Sequence, residues 1–225
     1  MKSNSTYIIT IDGTSGSGKT TISKLLAKKL NFTLLDSGKL YRSAGYAFLQ
    51  SKNKFTDRRS VKELVSKIDI RSNNDNEYEI FYENKKIDHL LYSEKVGESA
   101  SIVSKIPDIR QRMFKIQQSC VKGQGLIANG RDMGTEVFPE ANLKLYISAS
   151  LEIRAKRRLE ELRKKGDDVN YDSVYKSLKK RDESDMNRTL SPLKVPDNAE
   201  IIDTSELKPD AIVDKILKMY TITEN

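Results

Sequence analysis

The chain has 225 residues, one cysteine and a formal net charge of +8, and at about 150 residues per domain it can bury one main core with an insertion or two. The single cysteine excludes an internal disulfide, and we expect a soluble, cytoplasmic protein because neither a secretion leader nor an apolar run of about 20 residues is recognisable. The positive charge favours a polyanionic partner, which by charge alone could be nucleic acid, a membrane surface or a small phosphorylated ligand. No stretch interleaves basic and aromatic residues, so a nucleic-acid groove has weak support, and we expect no nucleic-acid or membrane partner.

Five short apolar stretches predict buried parallel strands, at Tyr7–Ile11, Thr33–Leu35, Leu126–Ala128, Leu143–Ile147 and Glu200–Ile202. Helical patterns lie between them. After the first strand, one apolar stripe recurs at helical spacing, formed by Ile22, Leu25, Leu26 and Leu30. This alternation predicts right-handed crossovers and a parallel sheet covered by helices.

Two intervals interrupt the alternation. At about 60–92, the β-like stretches IDIRS, EYEIFY and KKIDHL are separated by the turn-rich NNDN and ENKK, which predicts a small antiparallel insertion. The second interval, 150–185, is highly charged and contains KKGDDVNYDS, which predicts a mobile connection between two helices.

Residues 13–20 read GTSGSGKT between a predicted strand and a predicted helix, and they match the phosphate-binding loop G-x-x-x-x-G-K-[ST]. The glycines let backbone N–H groups and the helix N-terminus converge on one anion. Lys19 is expected to reach β- and γ-phosphate oxygens, and the Thr20 hydroxyl to ligate Mg²⁺. We therefore predict a nucleoside triphosphate site formed by Gly13, Thr14, Ser15, Gly16, Ser17, Gly18, Lys19, Thr20 and Thr21.

Four motifs in fixed order extend this interpretation over essentially the whole chain. They are IDG-SGSGK, LLDSG--YR, NGRDMGTEVFP and KKRDESDMNR, and at these residues the chain resembles the bacterial cytidylate kinases, a branch of the nucleoside monophosphate kinases. The resemblance implies a three-layer α/β/α P-loop fold with a five-stranded parallel sheet. It also implies a core formed by 1–36, 97–153 and 171–225, a monophosphate-binding region with the β insertion at 37–96, and a short helical lid at 154–170.

The resemblance further implies the reactants. ATP would be the phosphoryl donor, Mg²⁺ the metal cofactor, and CMP or dCMP the acceptor, in a protein that acts as a monomer. Two other interpretations stay open: a P-loop kinase for UMP, AMP or shikimate, and a non-catalytic, nucleotide-dependent nucleic-acid binder.

Phosphoryl transfer between nucleotides gathers many negative oxygens, which arginines are suited to bind. On a helix predicted near 176–190, Arg181, Asp185 and Arg188 fall at i, i+4 and i+7 on one face. Spacing alone favours a solvated face joined by an ion pair. The resemblance implies instead that the two arginines meet the monophosphate nucleotide and Asp185 its ribose hydroxyls, while Asp182, off that face, is structural.

A second arginine cluster follows Ser150, a predicted N-cap. Arg154, Arg157 and Arg158 share one helix face at i, i+3 and i+4, and an exposed basic helix would show the same pattern. The resemblance implies that this helix leads into a lid that closes over ATP and excludes water. The sequence leaves open which of these three lid arginines contacts ATP.

Recognition of cytosine needs an acceptor for its N4 amino group and donors for N3 and O2. The base-reading positions of the family fall on Asp132, Arg110 and Ser101, although an ordinary helix-surface serine explains Ser101 equally well. Asp132 would accept from N4 and Arg110 would donate to the ring. Uracil would set a carbonyl against Asp132, at a cost of about 1–3 kcal/mol.

The acceptor phosphate and sugar would be surrounded, by the same resemblance, by Ser37, Arg42 and Arg131. No general base is required, because an ionised phosphate is already a nucleophile. The catalytic residues implied are those that stabilise the transferring group and hold the acceptor, namely Lys19, Arg131, Arg181 and Arg188.

Asn129 departs from the family motif, because many relatives have an aspartate there, in DGRDMGT. The carboxylates at neighbouring strand ends, Asp12 and Asp36, are candidates to hold Mg²⁺ through water, and we expect reduced activity, not a different one. Two other residues are not site candidates: His89 is predicted to lie on the surface of the insertion, and Cys120 to lie in the core on an apolar stripe.

Overall fold

The computed structural model describes residues 6–51, 58–164 and 166–224. The strands are β1 (Tyr7–Gly13), β2 (Thr33–Asp36), β3 (Ile68–Ser72), β4 (Tyr78–Tyr82), β5 (Lys85–Lys86), β6 (Gly125–Asn129), β7 (Leu143–Ser148) and β8 (Glu200–Asp203). The helices are α1 (Lys19–Leu30), α2 (Ser37–Gln50), α3 (Arg58–Ser66), α4 (Glu94–Val103), α5 (Pro107–Ser119), α6 (Leu151–Lys164), α7 (Tyr171–Asn187) and α8 (Pro209–Glu224). A 3₁₀ turn at Asp88–Leu90 and a π-helical turn at Met133–Val137 complete the assignment.

The main sheet has five parallel strands in the order β2-β6-β1-β7-β8. All five predicted strands are confirmed, each one or two residues longer than predicted. The apolar runs are continuous because helices cover both faces of the sheet. The carboxyl ends of these parallel strands meet at one edge, so the phosphate-binding loop after β1, Asp36 at the end of β2 and Asn129 at the end of β6 become neighbours.

One face of the sheet is covered by α1 and α8. Ile22 and Leu26 of α1 are buried with Ile212 and Ile216 of α8, while Lys24, Lys28 and Lys29 face solvent. The predicted helical stripe is therefore confirmed. On the opposite face Cys120 is buried with β6 and the π-helical turn, which confirms it as a core residue.

The predicted antiparallel insertion is confirmed as the three-stranded sheet β3-β4-β5, but part of it is helical. The stretch KKIDHL contributes only Lys85–Lys86 as a strand and then turns into 3₁₀ conformation. The turn forms because the Asp88 carboxylate accepts from the Ile80 N–H at 2.9 Å and pairs with Lys39 of α2. These contacts fix the insertion to α2, and His89 is exposed as predicted.

The helix predicted near 176–190 has different bounds. It begins at Tyr171, where the Asn170 side chain caps Ser173, and it ends at Asn187. The end is set by a distant contact: the Asp185 carbonyl, which a continued helix would bond to residue 189, accepts from the Leu193 N–H at 2.8 Å. Arg188 consequently lies beyond the helix in extended conformation. The prediction that Arg188 shares a helix face with Arg181 and Asp185 is therefore wrong.

Helix α6 begins where predicted, because the Ser150 hydroxyl accepts from the Ile153 N–H at 3.3 Å. Helices α6 and α7 pack together through a small apolar cluster, formed by Ala155, Leu162, Val174 and Leu178. Lys165, in the predicted connection between them, lies outside the described residues. No helix in the described part of the chain is long and apolar enough to cross a membrane.

Candidate active site

The phosphate-binding loop leaves β1 at Gly13, where only glycine fits. Its φ is 142°, and a Cβ there would lie 1.9 Å from the Ile147 carbonyl oxygen of β7. Gly18 precedes α1 with a φ of 89°, and no side chain caps the helix. The first N–H groups of α1 are therefore left to bind an anion.

Lys19 points into this loop. Its ammonium donates to the Thr14 carbonyl and to the Ser17 hydroxyl, the latter at 3.2 Å. Burial, and next the charge of Arg131, lower the pKa of Lys19 well below its usual value. A negatively charged ligand in the loop would favour the charged ammonium, so the site is suited to phosphate.

Arg154 holds the loop from behind. It donates to the Ser15 carbonyl at 3.0 Å and to the Ala149 carbonyl at 2.9 Å, and it pairs with Asp182 at 2.6 Å. Both members of this pair are buried. The pair therefore links α6, α7 and the phosphate-binding loop.

The other two lid arginines differ in what they contact. Arg157 donates to the hydroxyl and carbonyl of Thr204, whose hydroxyl is 2.9 Å from the Ser17 carbonyl oxygen. Within the described residues, the ion pair of Arg158 is the one with Glu161 on its own helix, at 2.9 Å. Arg158 is consequently the lid arginine whose guanidinium is least committed to the protein.

Four arginines from different elements form a cluster beside the loop: Arg42 of α2, Arg131 after β6, Arg158 of α6 and Arg181 of α7. Burial and the charges of Arg131 and Arg42 lower the pKa of Arg181 to about 10. Burial and the charge of Arg158 lower the pKa of Arg42. Within the described residues, neither Arg42 nor Arg181 has a carboxylate at ion-pair distance. Unpaired like charges held together cost free energy unless an anion neutralises them, so this arginine cluster indicates a polyanion site.

Asp185 borders the arginine cluster. It accepts from Arg131 Nε at 2.9 Å. Burial alone would raise its pKa, but the charges of Arg131, Arg181 and Arg188 hold that pKa below its usual value. An ionised carboxylate therefore lies at the edge of the anion site.

Asp132 and Arg110 meet in a separate, buried ion pair. Arg188 Nη2 lies 3.5 Å from the same carboxylate oxygen and has no hydrogen-bond partner in the described residues. The Tyr41 ring lies 5.5 Å from the Arg110 guanidinium carbon. Tyr41 was not predicted as a site residue, although its position in the LLDSG--YR motif could have indicated it.

Two predicted serines lie nearby. Ser101 is in the last turn of α4, and its neighbour Ser104 accepts from Arg110 at 3.4 Å through its carbonyl. Ser101 itself does not contact Arg110 in the structure. Ser37 begins α2, is buried, and accepts a hydrogen bond from Gln117 at 2.7 Å, a partner that no sequence motif indicated.

The two carboxylates considered for Mg²⁺ have different environments. Asp12 is buried, and its two oxygens accept from the Met133 and Gly134 N–H groups at 2.9 and 2.7 Å. This carboxylate is committed to the turn after β6, so it is no longer a candidate. Asp36 is partly exposed and caps α2, while Asn129 donates to the Thr20 hydroxyl at 3.3 Å.

A family model described as cytidylate kinase matches residues 9–222. The chain belongs to the cytidylate kinase family. It is 42% identical over 218 residues to the cytidylate kinase of Actinobacillus succinogenes, covering 93% of this chain and 96% of that one. It is also 39% identical over 219 residues to the cytidylate kinase of Caldicellulosiruptor bescii, covering 96% of this chain and 97% of that one. The resemblance based on four motifs is therefore confirmed.

Solved structures show the fold at much lower sequence identity. A shikimate kinase from Bacteroides thetaiotaomicron superposes with a TM-score of 0.51 at 13% identity, over 96% of this chain and 98% of the other. A gluconokinase from Sinorhizobium meliloti superposes with a TM-score of 0.51 at 11% identity, over 97% and 94%. The predicted P-loop kinase fold is confirmed.

The buried Asp12 of this cytidylate kinase family member gives a pH-dependent stability. Burial raises its pKa from 3.8 to about 6, more than the Gly134 and Met133 N–H groups lower it. The Asp12 carboxyl holds its proton more tightly in the folded protein than in the unfolded chain. Protonation of Asp12 therefore stabilises the fold fully below about pH 4, and this stabilisation is lost as the pH rises through about 6. Compared with Asp12→Asn, the free energy of unfolding of the wild type should fall by about 3 kcal/mol between about pH 4 and pH 7.

Urea denaturation of both proteins across this range measures the difference. The comparison with Asp12→Asn removes the contributions of other carboxylates, including that of Asp185, which change in the opposite direction. Parallel pH profiles for the two proteins would contradict a raised Asp12 pKa.

Gly97 of α4 makes room for Arg42. A Cβ at position 97 would lie 3.1 Å from both terminal nitrogens of Arg42, which also donates to the Leu91 carbonyl at 2.9 Å. Gly97→Ala should displace this guanidinium and raise the KM for the acceptor by about three- to tenfold, with the KM for ATP unchanged. Glu98→Ala is the control, because Glu98 is the exposed neighbour of Gly97 on the same helix. Equal effects of Gly97→Ala on both substrates would contradict the specific role of Arg42.

Proposed function

We propose that this chain transfers the γ-phosphoryl group of ATP to CMP or dCMP, giving ADP and CDP or dCDP. The observation that carries the proposal is the arginine cluster. The charge of its member Arg131 acts on Lys19 of the phosphate-binding loop, and Arg131 is followed in the chain by Asp132, which pairs with Arg110. Family membership supports ATP as donor and a nucleotide as acceptor. We expect a monomer, as the family resemblance implies, and we expect it to act in the cytoplasm.

On the donor side, the loop N–H groups and Lys19 would bind the phosphates, with Thr20 and Thr21 at the start of α1. The exposed Thr20 hydroxyl fits a metal site, because its oxygen has a free lone pair besides the one that accepts from Asn129. Mg²⁺ would supply charge neutralisation at the β- and γ-oxygens. Among the described residues, no cluster of three or more His, Cys, Asp or Glu could hold a metal, so Thr20 and, through water, Asp36 are the protein groups proposed.

On the acceptor side, Arg42, Arg131 and Arg181 would hold the attacking phosphate and stabilise the charge that develops during transfer. Ser37 would donate to the same phosphate, and Asp185 would accept from the ribose hydroxyls. Arg158 is the lid arginine that we propose contacts the transferring group. Arg154 and Arg157 would act by holding the phosphate-binding loop.

Asp132 and Arg110 would select cytosine. The carboxylate can accept from the N4 amino group, and the guanidinium can donate to O2 and N3. Arg188, with one buried nitrogen unpaired, would donate to the acceptor nucleotide at the same place. A uracil carbonyl opposite Asp132 would leave two acceptors facing each other, which disfavours UMP. Ser101 remains proposed as a weaker contact to the base.

An ADP-release assay with CMP, dCMP, UMP, AMP and shikimate tests the proposal directly. We expect turnover with CMP or dCMP to exceed that with UMP by about 5- to 150-fold, from about 1–3 kcal/mol of discrimination, and to exceed that with AMP or shikimate as well. Turnover of UMP, AMP or shikimate alone would support a P-loop kinase of another class. No turnover together with steeply salt-dependent binding of a single-stranded oligonucleotide would favour the nucleic-acid binder.

A further inference from the structure

Gln117 is a buried polar residue on an otherwise apolar helix face. On α5 the residues Ile109, Met113 and Ile116 pack into the same region of the core. Gln117 is only 1% exposed, and its side-chain amide nitrogen lies 2.7 Å from the hydroxyl oxygen of Ser37, which is 3% exposed. Burial of an amide costs free energy unless it makes a specific hydrogen bond, and this bond joins α5 to the first residue of α2.

The orientation of the Gln117 amide sets the direction of the bond. Its nitrogen faces Ser37, and an amide N–H can only donate, so the Ser37 oxygen accepts and its single hydroxyl proton points elsewhere. Within the described residues that proton has no acceptor. Ser37 therefore offers a donor that the protein itself does not use.

The surroundings of Ser37 favour an anionic acceptor for this proton. Ser37 is the first residue of α2, and the Asp36 carboxylate caps that helix by accepting from the Lys39 N–H at 3.2 Å. Arg42, with no carboxylate at ion-pair distance in the described residues, lies on the same helix. The Ser37 hydroxyl proton and the Arg42 guanidinium are thus two donors contributed by one element.

We propose that Gln117 is a positioning residue that makes the Ser37 hydroxyl a hydrogen-bond donor to a phosphate oxygen of the acceptor nucleotide. This inference rests on the proposed function. Without the amide N–H, the hydroxyl can rotate, and it can also act as an acceptor that repels the phosphate. The free energy of acceptor binding then falls although Gln117 does not touch the nucleotide.

Two replacements of Gln117 by side chains of similar length test whether its amide N–H orients the Ser37 hydroxyl. Gln117→Met cannot donate, so the Ser37 hydroxyl loses its orientation, and the KM for CMP should rise by about three- to tenfold. Gln117→Glu introduces an acceptor that takes the Ser37 proton, and the KM for CMP should rise by more than about tenfold. The KM for ATP should stay unchanged in both variants.

The pH dependence of Gln117→Glu adds a readout that packing alone would not change. When the new carboxyl is protonated, it can donate to the Ser37 hydroxyl as the amide does. The ratio of its KM for CMP to that of the wild type should therefore decrease as the pH is lowered. Gln118→Glu is the matched control, because Gln118 is the exposed neighbour on the same helix and receives the same change of charge.

A double-mutant cycle shows whether the effect passes through Ser37. Ser37→Ala should itself raise the KM for CMP, and Gln117→Met should add nothing further in that background. Additive effects of the two replacements, an equal rise in the KM values for ATP and CMP, or a normal KM in Ser37→Ala would each overturn the proposal. If Gln117→Glu fails to fold, the cycle with Gln117→Met decides.

Failure of the proposed function gives a different result. In that case the wild type does not turn over CMP or dCMP at all, whereas failure of the Gln117 inference leaves wild-type turnover intact.

Discussion

Asp132→Asn is expected to lower kcat/KM for CMP by about 10²- to 10³-fold while ATP affinity changes little. Asp132 is buried with its carboxylate beside both Arg110 and Arg188. The variant keeps one oxygen that can accept from the cytosine N4 amino group, but it removes the negative charge that strengthens this hydrogen bond and holds the two guanidiniums. Steady-state kinetics with CMP and UMP, with ATP binding measured separately by calorimetry, give the effect.

The selectivity of this variant is as informative as its rate. An asparagine amide can donate to the uracil carbonyl, so the preference for CMP over UMP should shrink or disappear. Asp69→Asn is a suitable control, because it breaks an exposed ion pair of the insertion, with Arg71 at 3.1 Å. Normal CMP turnover and an unchanged CMP/UMP ratio in Asp132→Asn would mean that Asp132 does not read the base.

Lys19→Met should reduce kcat by about 10²- to 10³-fold with CMP binding largely retained. The ammonium is buried within the phosphate-binding loop, and no other lysine shares that loop. Methionine fills similar volume but cannot stabilise the charge of the transferring group. Single-turnover kinetics with saturating ATP and CMP separate this step from binding.

The stability of Lys19→Met should not decrease. Burial lowers the Lys19 pKa well below its usual value, so the charged lysine costs free energy in the unliganded fold and its removal is neutral or stabilising. Lys24→Met is the matched control on the same helix, because Lys24 is exposed and its ion pair within the described residues is an exposed one, with Glu77 at 3.3 Å. Loss of activity that merely parallels loss of stability would argue against a direct role of Lys19.

The strands and the loop could be predicted because their signals are local. A continuous apolar run as short as Leu126–Ala128 has few alternatives when helical patterns lie on both sides. Gly13 and Gly18 adopt conformations that other residues rarely adopt, so their spacing identifies the loop. Local backbone geometry and burial decide these features, and both can be recognised in the sequence.

Element ends were less predictable because distant contacts set them. The helix that contains Asp185 stops at Asn187 because the Leu193 N–H donates to the Asp185 carbonyl. The stretch KKIDHL curls into a 3₁₀ turn since Asp88 bonds to Ile80 and pairs with Lys39. The spacing of apolar residues does not identify these partners, because they meet only when the intervening chain has folded.

The sequence by itself determined the sheet, the phosphate-binding loop and the family. Only the tertiary structure decided which groups each charged residue contacts, because side chains on one helix face can point to different neighbours. Of the three arginines of α6, Arg154 bonds to the loop at the Ser15 carbonyl, Arg157 bonds to Thr204, which in turn donates to the Ser17 carbonyl, and Arg158 lies in the arginine cluster. The bond between Gln117 and Ser37 spans 80 residues. Such contacts depend on where packing brings two elements together, and no local pattern encodes them.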